Sequence, residues 1–268
     1  MLAVWGLHRG SRESGQAAIE SAITLPLFVF LILGILQLGL MHQARLMTKY
    51  AAYKAVRAGA LHHANLRKME RAALAVLLPL VSRDTGGGEY IQPTHAAGDF
   101  SSKWNWSQVL TNRMDEADLP HVQVTICGPL QRNFPGNPRE VNFDAPAYAV
   151  STDWEQGQRT KLRIQVTFNY RLPIPFANWV IFNAARQREV PWLMRMGKAK
   201  GAERSFQDAR GRDLYSGLAE RGIYAHPIRA TYTMRMQSNF LPQKAGYELP
   251  ERNLCVFPFH YAARTPGT

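Results

Sequence analysis

The chain has 268 residues, 46% apolar and 19% charged, a balance that excludes wholesale disorder. A mean hydropathy of −0.25 excludes a protein made of many membrane spans. The 32 basic and 20 acidic residues give a net charge of +12, so the surface attracts polyanions, and two cysteines exclude a disulfide-dense scaffold or a four-cysteine zinc site while leaving room for one disulfide.

In chain order, residues 1–15 are short and turn polar towards their end, with Arg9 and Arg12 before Gly15. The run Gln16-Ala17-Ala18-Ile19-Glu20 follows. Residues 22–41 then carry no charge, and Thr24 and Gln37 are their only clearly polar side chains. Twenty helical residues at about 1.5 Å each span the roughly 30 Å hydrocarbon core of a bilayer. A core helix of a soluble protein rarely stays uncharged for that length. A cleaved secretory signal ends in small residues, whereas this run ends in Met41-His42-Gln43-Ala44, with His42 where a small residue is needed. The pattern predicts a retained single-pass anchor. Glu20, at its doorstep, is a carboxylate that needs compensation near hydrocarbon.

These residues resemble the class III signal of type IV pilin-like proteins. The string GQAAIESAITLPLFVFLILGILQLGL is similar to the TadE-like pseudopilins of the tight-adherence (Flp-type) pilus system, through Gly15, Glu20, Ala22, Leu25-Pro26-Leu27 and Gly34. Ser21 departs from the pattern, which more usually has an aromatic there. The resemblance implies cleavage by a prepilin peptidase after Gly15, with Gln16 as the first mature residue and Glu20 as the fifth. It implies that Glu20 pairs with an N-terminal ammonium in the assembled fibre, which fits the physics of a carboxylate in a poorly hydrated site. It further implies the bacterial inner membrane, a periplasmic head, and other pilin-like subunits and an assembly platform as partners beside membrane lipid. Charge counting points the other way. Arg9 and Arg12 precede the anchor, while Arg45, Lys49, Lys54 and Arg57 follow it, and the positive-inside rule favours the richer flank in the cytoplasm.

Past the anchor, Leu46, Tyr50, Tyr53 and Val56 fall at helical spacing among alanines, so the helix is expected to run over 16–63, with Gly59 as an interruption. A second helix is expected over 66–80 on the stripe Leu66, Met69, Ala73, Leu77 and Leu80. Gly86-Gly87-Gly88 reads as a linker, since no Lys-Ser/Thr follows to make a phosphate-binding loop. Alternating apolar residues predict strands over 121–127, 161–171 and 228–237, with one buried face and one wet face carrying Arg163, Arg171, Arg229 and Arg235. The helix after the anchor is the natural cover for the apolar face, giving an α+β head. The family resemblance extends to 166–176 and 230–235. Residues 172–227 read as an insertion between them.

The expected organisation is therefore a leader (1–15), an N-terminal helix (16–63) and an α+β head (64–268) with an antiparallel sheet packed on helix. Within 186–212, eight basic and three acidic residues give a local +5 close to Trp179 and Trp192. Arg186, Arg188, Arg195, Lys198, Lys200 and Arg204 are a candidate polyanion or lipid-headgroup contact, weighed against an ordinary solvated loop. If the head is periplasmic, Cys127 and Cys255 are candidates for a disulfide, the alternative being two separate buried thiols. No metal-ligand spacing, nucleophile motif or cofactor motif is present: His62 and His63 are adjacent, and Asp115, Glu116 and Asp118 read as a solvated helix end. The sequence favours a structural, non-enzymatic subunit. Its rival is a single-pass periplasmic enzyme or a ligand- or polyanion-binding domain.

Overall fold

The computed structural model describes residues 13–84, 89–114, 119–134, 136, 138–144, 157, 159–186 and 209–256. One helix, α1 (Glu13–Leu61), runs unbroken for 49 residues, about 70 Å, through both Pro26 and Gly59. A turn then leads to α2 (Leu66–Leu77), where the Asn65 side chain caps the N-terminus by accepting from Lys68 N at 3.0 Å. The expected end at 80 is instead a 3-10 turn, Leu78–Leu80, because Pro79 cannot continue the α-helical ladder. Two short strands, β1 (Arg83–Asp84) and β2 (Glu89–Tyr90), and two short helices, α3 (Ala97–Trp104) and α4 (Ser107–Thr111), precede the main sheet.

That sheet has three antiparallel strands in the order β3 (Val122–Gly128), β4 (Lys161–Arg171) and β5 (Ala225–Arg235). Helix α5 (Ala177–Arg186) follows β4, and α6 (Ala209–Glu220) precedes β5. The molecule is an α+β head built on a long apolar helix. Strand β4 runs antiparallel to α1. At one end Met236 N bonds Thr160 O and Gln237 N bonds Ala60 O, and at the other Ile174 N bonds the side chain of Gln37.

The seam between helix and sheet is made of small residues. Ala44, Thr48, Ala51, Ala52, Ala55 and Ala60 are buried, while Leu46 and Tyr50 are about half exposed. The helical period was readable in the sequence, but of the expected stripe only Val56 is fully buried: Leu46 and Tyr50 face outward, and most of the alanines face the core. Small side chains let the sheet approach the helix backbone closely. Gly59 is the limiting case. A Cβ there would meet Met69 Sδ at 2.5 Å and Leu162 Cδ2 at 2.7 Å, so this glycine does not interrupt the helix but admits α2 and β4 to its surface. The apolar faces of the three strands (Val122, Val124 and Ile126; Leu162, Ile164, Val166 and Phe168; Ile228 and Ala230) fill the space under α1 and α2.

The second face of β4 is not wet. Gln165, Thr167, Asn169 and Arg171 are buried. Tyr215 of α6 donates its hydroxyl to Asn169 Oδ1, and the Asn169 amide donates to Pro120 O at 2.7 Å. Gln165 grips the backbone of Val256 twice, donating to its carbonyl at 2.7 Å and accepting from its N–H at 2.9 Å. Cys255, next to it, is bonded to Cys127 of β3, with Cα atoms 5.5 Å apart. The tail therefore lies over the sheet, held by a side-chain imitation of strand pairing and one covalent bond. Of the four arginines expected on a wet face, Arg171 is 4% exposed, whereas Arg235 is half exposed and faces Asp144 at 3.5 Å.

The free edge of β3 is also closed. Asn112 donates to Val122 O at 2.6 Å and accepts from Val122 N at 3.0 Å, and the Glu70 carboxylate accepts from Val124 N. Such pairing removes a template for unwanted strand addition. Gly59→Leu drives a side chain into Met69 and Leu162 and is expected to cost the head roughly 1–3 kcal/mol. Chemical denaturation of the full chain in detergent, followed by tryptophan fluorescence, reads the loss.

Candidate functional site

The surface of α1 before the head is apolar on every side. Ile19, Ile23, Leu25, Leu27, Phe28, Phe30, Leu31, Ile35, Leu36 and Leu38 are all more than half exposed. A soluble helix with a buried face keeps polar residues on the other; one that is apolar all round needs lipid or protein around its whole circumference. Among the described residues this is the one helix long and apolar enough to cross a membrane. Its few hydroxyls are internally satisfied: Ser21 donates to Ala17 O at 2.8 Å, and Thr24 donates to Glu20 O. Each hides a donor that would be costly in hydrocarbon. Gly15, Gln16 and Glu20 lie on the same unbroken helix, whose first residue is Glu13. Residues 1–12 lie outside the described residues.

The head begins one turn earlier than hydropathy suggests. Gln37 is fully buried, and its Oε1 accepts from Ile174 N at 3.0 Å. Leu40 and Met41 pack against the core beside it. The last residues of the uncharged window thus touch protein on one side. The strip Leu172–Phe176, with prolines at 173 and 175, loses regular strand pairing, and Gln37 supplies one of the backbone partners that the strip lacks. A lone glutamine in an apolar run was visible in the sequence; its partner 137 residues away was not.

Two further ionisable side chains among the described residues are buried in the head. Lys103 has no exposed surface. Its ammonium donates to Pro79 O and Gln92 O, both at 3.1 Å, and lies 5.5 Å from the centre of the Trp106 ring. Burial lowers its pKa to about 8. His121 sits just before β3, between Asn112 O and Asn169 N, and its Nε2 has no hydrogen-bond partner. Burial, and secondarily the Arg171 charge, lower its pKa to about 4. Neither group belongs to a constellation of reactive side chains. The described residues contain no group of three or more His, Cys, Asp or Glu that could hold a metal ion.

The structure brings Cys127 and Cys255 together. Arg186 ends α5, and Arg188, Arg195, Lys198, Lys200 and Arg204 lie outside the described residues, as do Trp192, Asp115, Glu116, Asp118 and the triple glycine at 86–88. The ends of the expected insertion fold into the head as α5 and α6, with Phe182 and Leu218 buried.

Comparison with known families adds one decisive observation. The family model described as TadE-like protein matches residues 15–57, which begin at Gly15 and end within the alanine seam. That segment is similar to TadE-like proteins. The match covers the apolar helix and its first contact with the head, and it leaves the rest of the head outside. No curated protein and no solved structure matches the chain.

The His121 environment makes acid stability predictable. The unfolded chain takes a proton on this imidazole near pH 6.5, whereas the folded head holds it neutral down to about pH 4. Between those values the unfolded state binds more protons, so this contribution is fully present above about 6.5 and is lost as pH falls towards 4. Its whole span is roughly 3 kcal/mol. Denaturation of full-length wild type and His121→Gln at pH 7 and pH 4.5 is expected to show a smaller acid loss in the variant.

Proposed function

We propose that the protein is a membrane-anchored, pilin-like structural subunit of a bacterial tight-adherence pilus machine, acting by protein packing and not by catalysis. The observation that carries this reading is the coincidence of the TadE-like match at 15–57 with a helix that is apolar and exposed on every side before the head begins. In this reading the anchor sits in the inner membrane and the head in the periplasm. The Cys127–Cys255 bond suits an oxidising compartment. The excess of basic residues after the anchor argues the other way, but weakly: a head of more than two hundred residues follows, and large domains translocate largely regardless of flanking charge.

A prepilin peptidase would cut between Gly15 and Gln16. Glu20 would then be the fifth residue, one turn from the new ammonium. Two opposite charges within about 4 Å offset a desolvation that neither tolerates alone. The lateral surface of α1 would contact other pilin-like subunits in an assembly platform or fibre, and the head would set specificity.

Two variants test the reading. A side chain larger than hydrogen at position 15 is expected to block cleavage, so Gly15→Val leaves a full-length precursor, read by intact mass of the membrane-extracted protein. Identical intact masses for wild type and variant, both retaining residues 1–15, would remove the processing half of the proposal. Glu20→Leu replaces a carboxylate with an apolar group, so membrane insertion is unchanged or easier while incorporation into the pilus complex falls. Normal piliation by Glu20→Leu at normal protein level would argue against a pairing role.

A further inference from the structure

The strongest unexplained surface lies where the head meets the anchor. The strip after β4 ends in Phe176, Trp179 and Val180, exposed by 63%, 57% and 43%. They are not scattered. Phe176 makes an edge-to-face contact with Phe30 of α1 at 5.6 Å between ring centres, and a shallow groove joins Phe30, Phe176, Trp179, Val180 and Tyr224. The opposite side of α5 is anchored in the head: Phe182 is buried and packs edge-to-face on Tyr224 at 5.3 Å. Helix α5 therefore has one face fixed in protein and one aromatic face open.

Its backbone entry is unusual. Phe176 has φ +65°, in the left-handed region that bulky residues avoid. The surrounding hydrogen bonds hold it there: Asn178 N bonds Ile174 O at 3.0 Å and Ala177 N bonds Pro175 O at 2.8 Å. The consequence is a phenyl ring directed against the anchor and still mostly open to its surroundings.

The level of this patch identifies its surroundings. The head's polar contact with α1 starts at Gln37, and Phe30 lies seven residues before it, about 10 Å nearer the N-terminus along the helix. The patch thus reaches back alongside the part of α1 that is apolar on every side. Beyond Gln37 the exposed face of α1 becomes polar and basic, with His42, Arg45 and Lys49. An apolar band that ends in exposed cations matches the passage from acyl chains to phosphates. Tryptophan at the boundary fits the same gradient.

We propose that Phe176, Trp179 and Val180 form a membrane foot, which dips into the head-group and outer acyl region of the phospholipid leaflet beside the anchor. The foot rests on the membrane-anchor reading and deepens it by naming a second lipid contact, made by the head itself. Two contacts, one spanning and one interfacial, fix the rotation of the head about the α1 axis and its height above the bilayer.

Photocrosslinking tests it. A benzophenone side chain is introduced at position 179, and separately at 180, in the full chain reconstituted into phosphatidylethanolamine–phosphatidylglycerol vesicles. Position 28, on the exposed anchor, and position 61, at the far end of α1, serve as references. The proposal expects phospholipid-mass adducts at 179 and 180 as abundant as at 28, and none at 61. Chain-to-chain adducts at 179 and 180, with lipid adducts at 28, would overturn the foot and assign the patch to a second copy. No adduct at 179 or 180, with lipid adducts at 28, would overturn it as well. Absence of lipid adducts at 28 would instead overturn the anchor reading on which the foot depends.

Discussion

Everything else in the molecule depends on one helix having to satisfy two different surroundings without a break. Over residues 22–36 α1 offers almost only apolar side chains in all directions, and from Gln37 onward it offers the sheet a narrow strip of alanine, threonine and glycine. The strip continues at helical spacing from Gln37 through Ala44, Thr48, Ala51 and Ala55 to Gly59. Small residues give up side-chain burial area, and the close approach they permit returns it through the sheet, whose Leu162, Ile164, Val166 and Phe168 are almost wholly enclosed. Because a single continuous helix carries both regions, the head joins the apolar segment with no linker between them.

At the two ends of that seam, polar side chains complete the contact between helix and head. At the near end, Gln37 replaces the backbone partner that a proline-interrupted strip has lost, and at the far end Ser238 Oγ donates to Ala60 O while accepting from His63 N, closing the turn after the helix. Each junction is a place where regular pairing stops: Gln37 is fully buried, and Ser238 and His63 are half-buried. Lys103 repeats the logic in the lobe formed by α3 and α4, with its ammonium held by two carbonyls and an indole face. In all three places a polar side chain finishes what the backbone ladder cannot.

Much of this was legible in the sequence. The uncharged window, the helical period and the span of β4 follow from local chemistry, and the α+β class follows from strands that alternate beside a helix. What was not legible depends on contacts between distant residues. Alternation assigned Gln165, Thr167, Asn169 and Arg171 to water, and it reported correctly that they point away from α1. It carried no information about α6 or the tail, which bury that second face through Tyr215 and Val256. Gly59 looked like a helix breaker because its propensity is poor, whereas the collision of a Cβ with Met69 and Leu162 is a tertiary fact. Phe176 and Trp179 sat inside what read as an insertion, and only the fold places them beside Phe30.

The seam also limits how this chain could pack with others. From Gln37 to Ala60 one face of α1 is already occupied by the head, so a neighbour can approach there only along the opposite face, where Leu46 and Tyr50 are half exposed. Before Gln37 the helix is open except where Phe176 touches Phe30 and where Leu33 and Gly34 are partly covered. In the proposed assembly a neighbouring helix would therefore have its widest choice of approach over residues 17–29, next to Glu20, and progressively less towards the head. If a carboxylate–ammonium pair sets axial register, it acts in the one part of α1 where the head imposes no orientation of its own. Rotation about the axis would then be set by the aromatic face beside Phe30 and by the head, and axial position by the charge at Glu20, which separates the two degrees of freedom along a single helix.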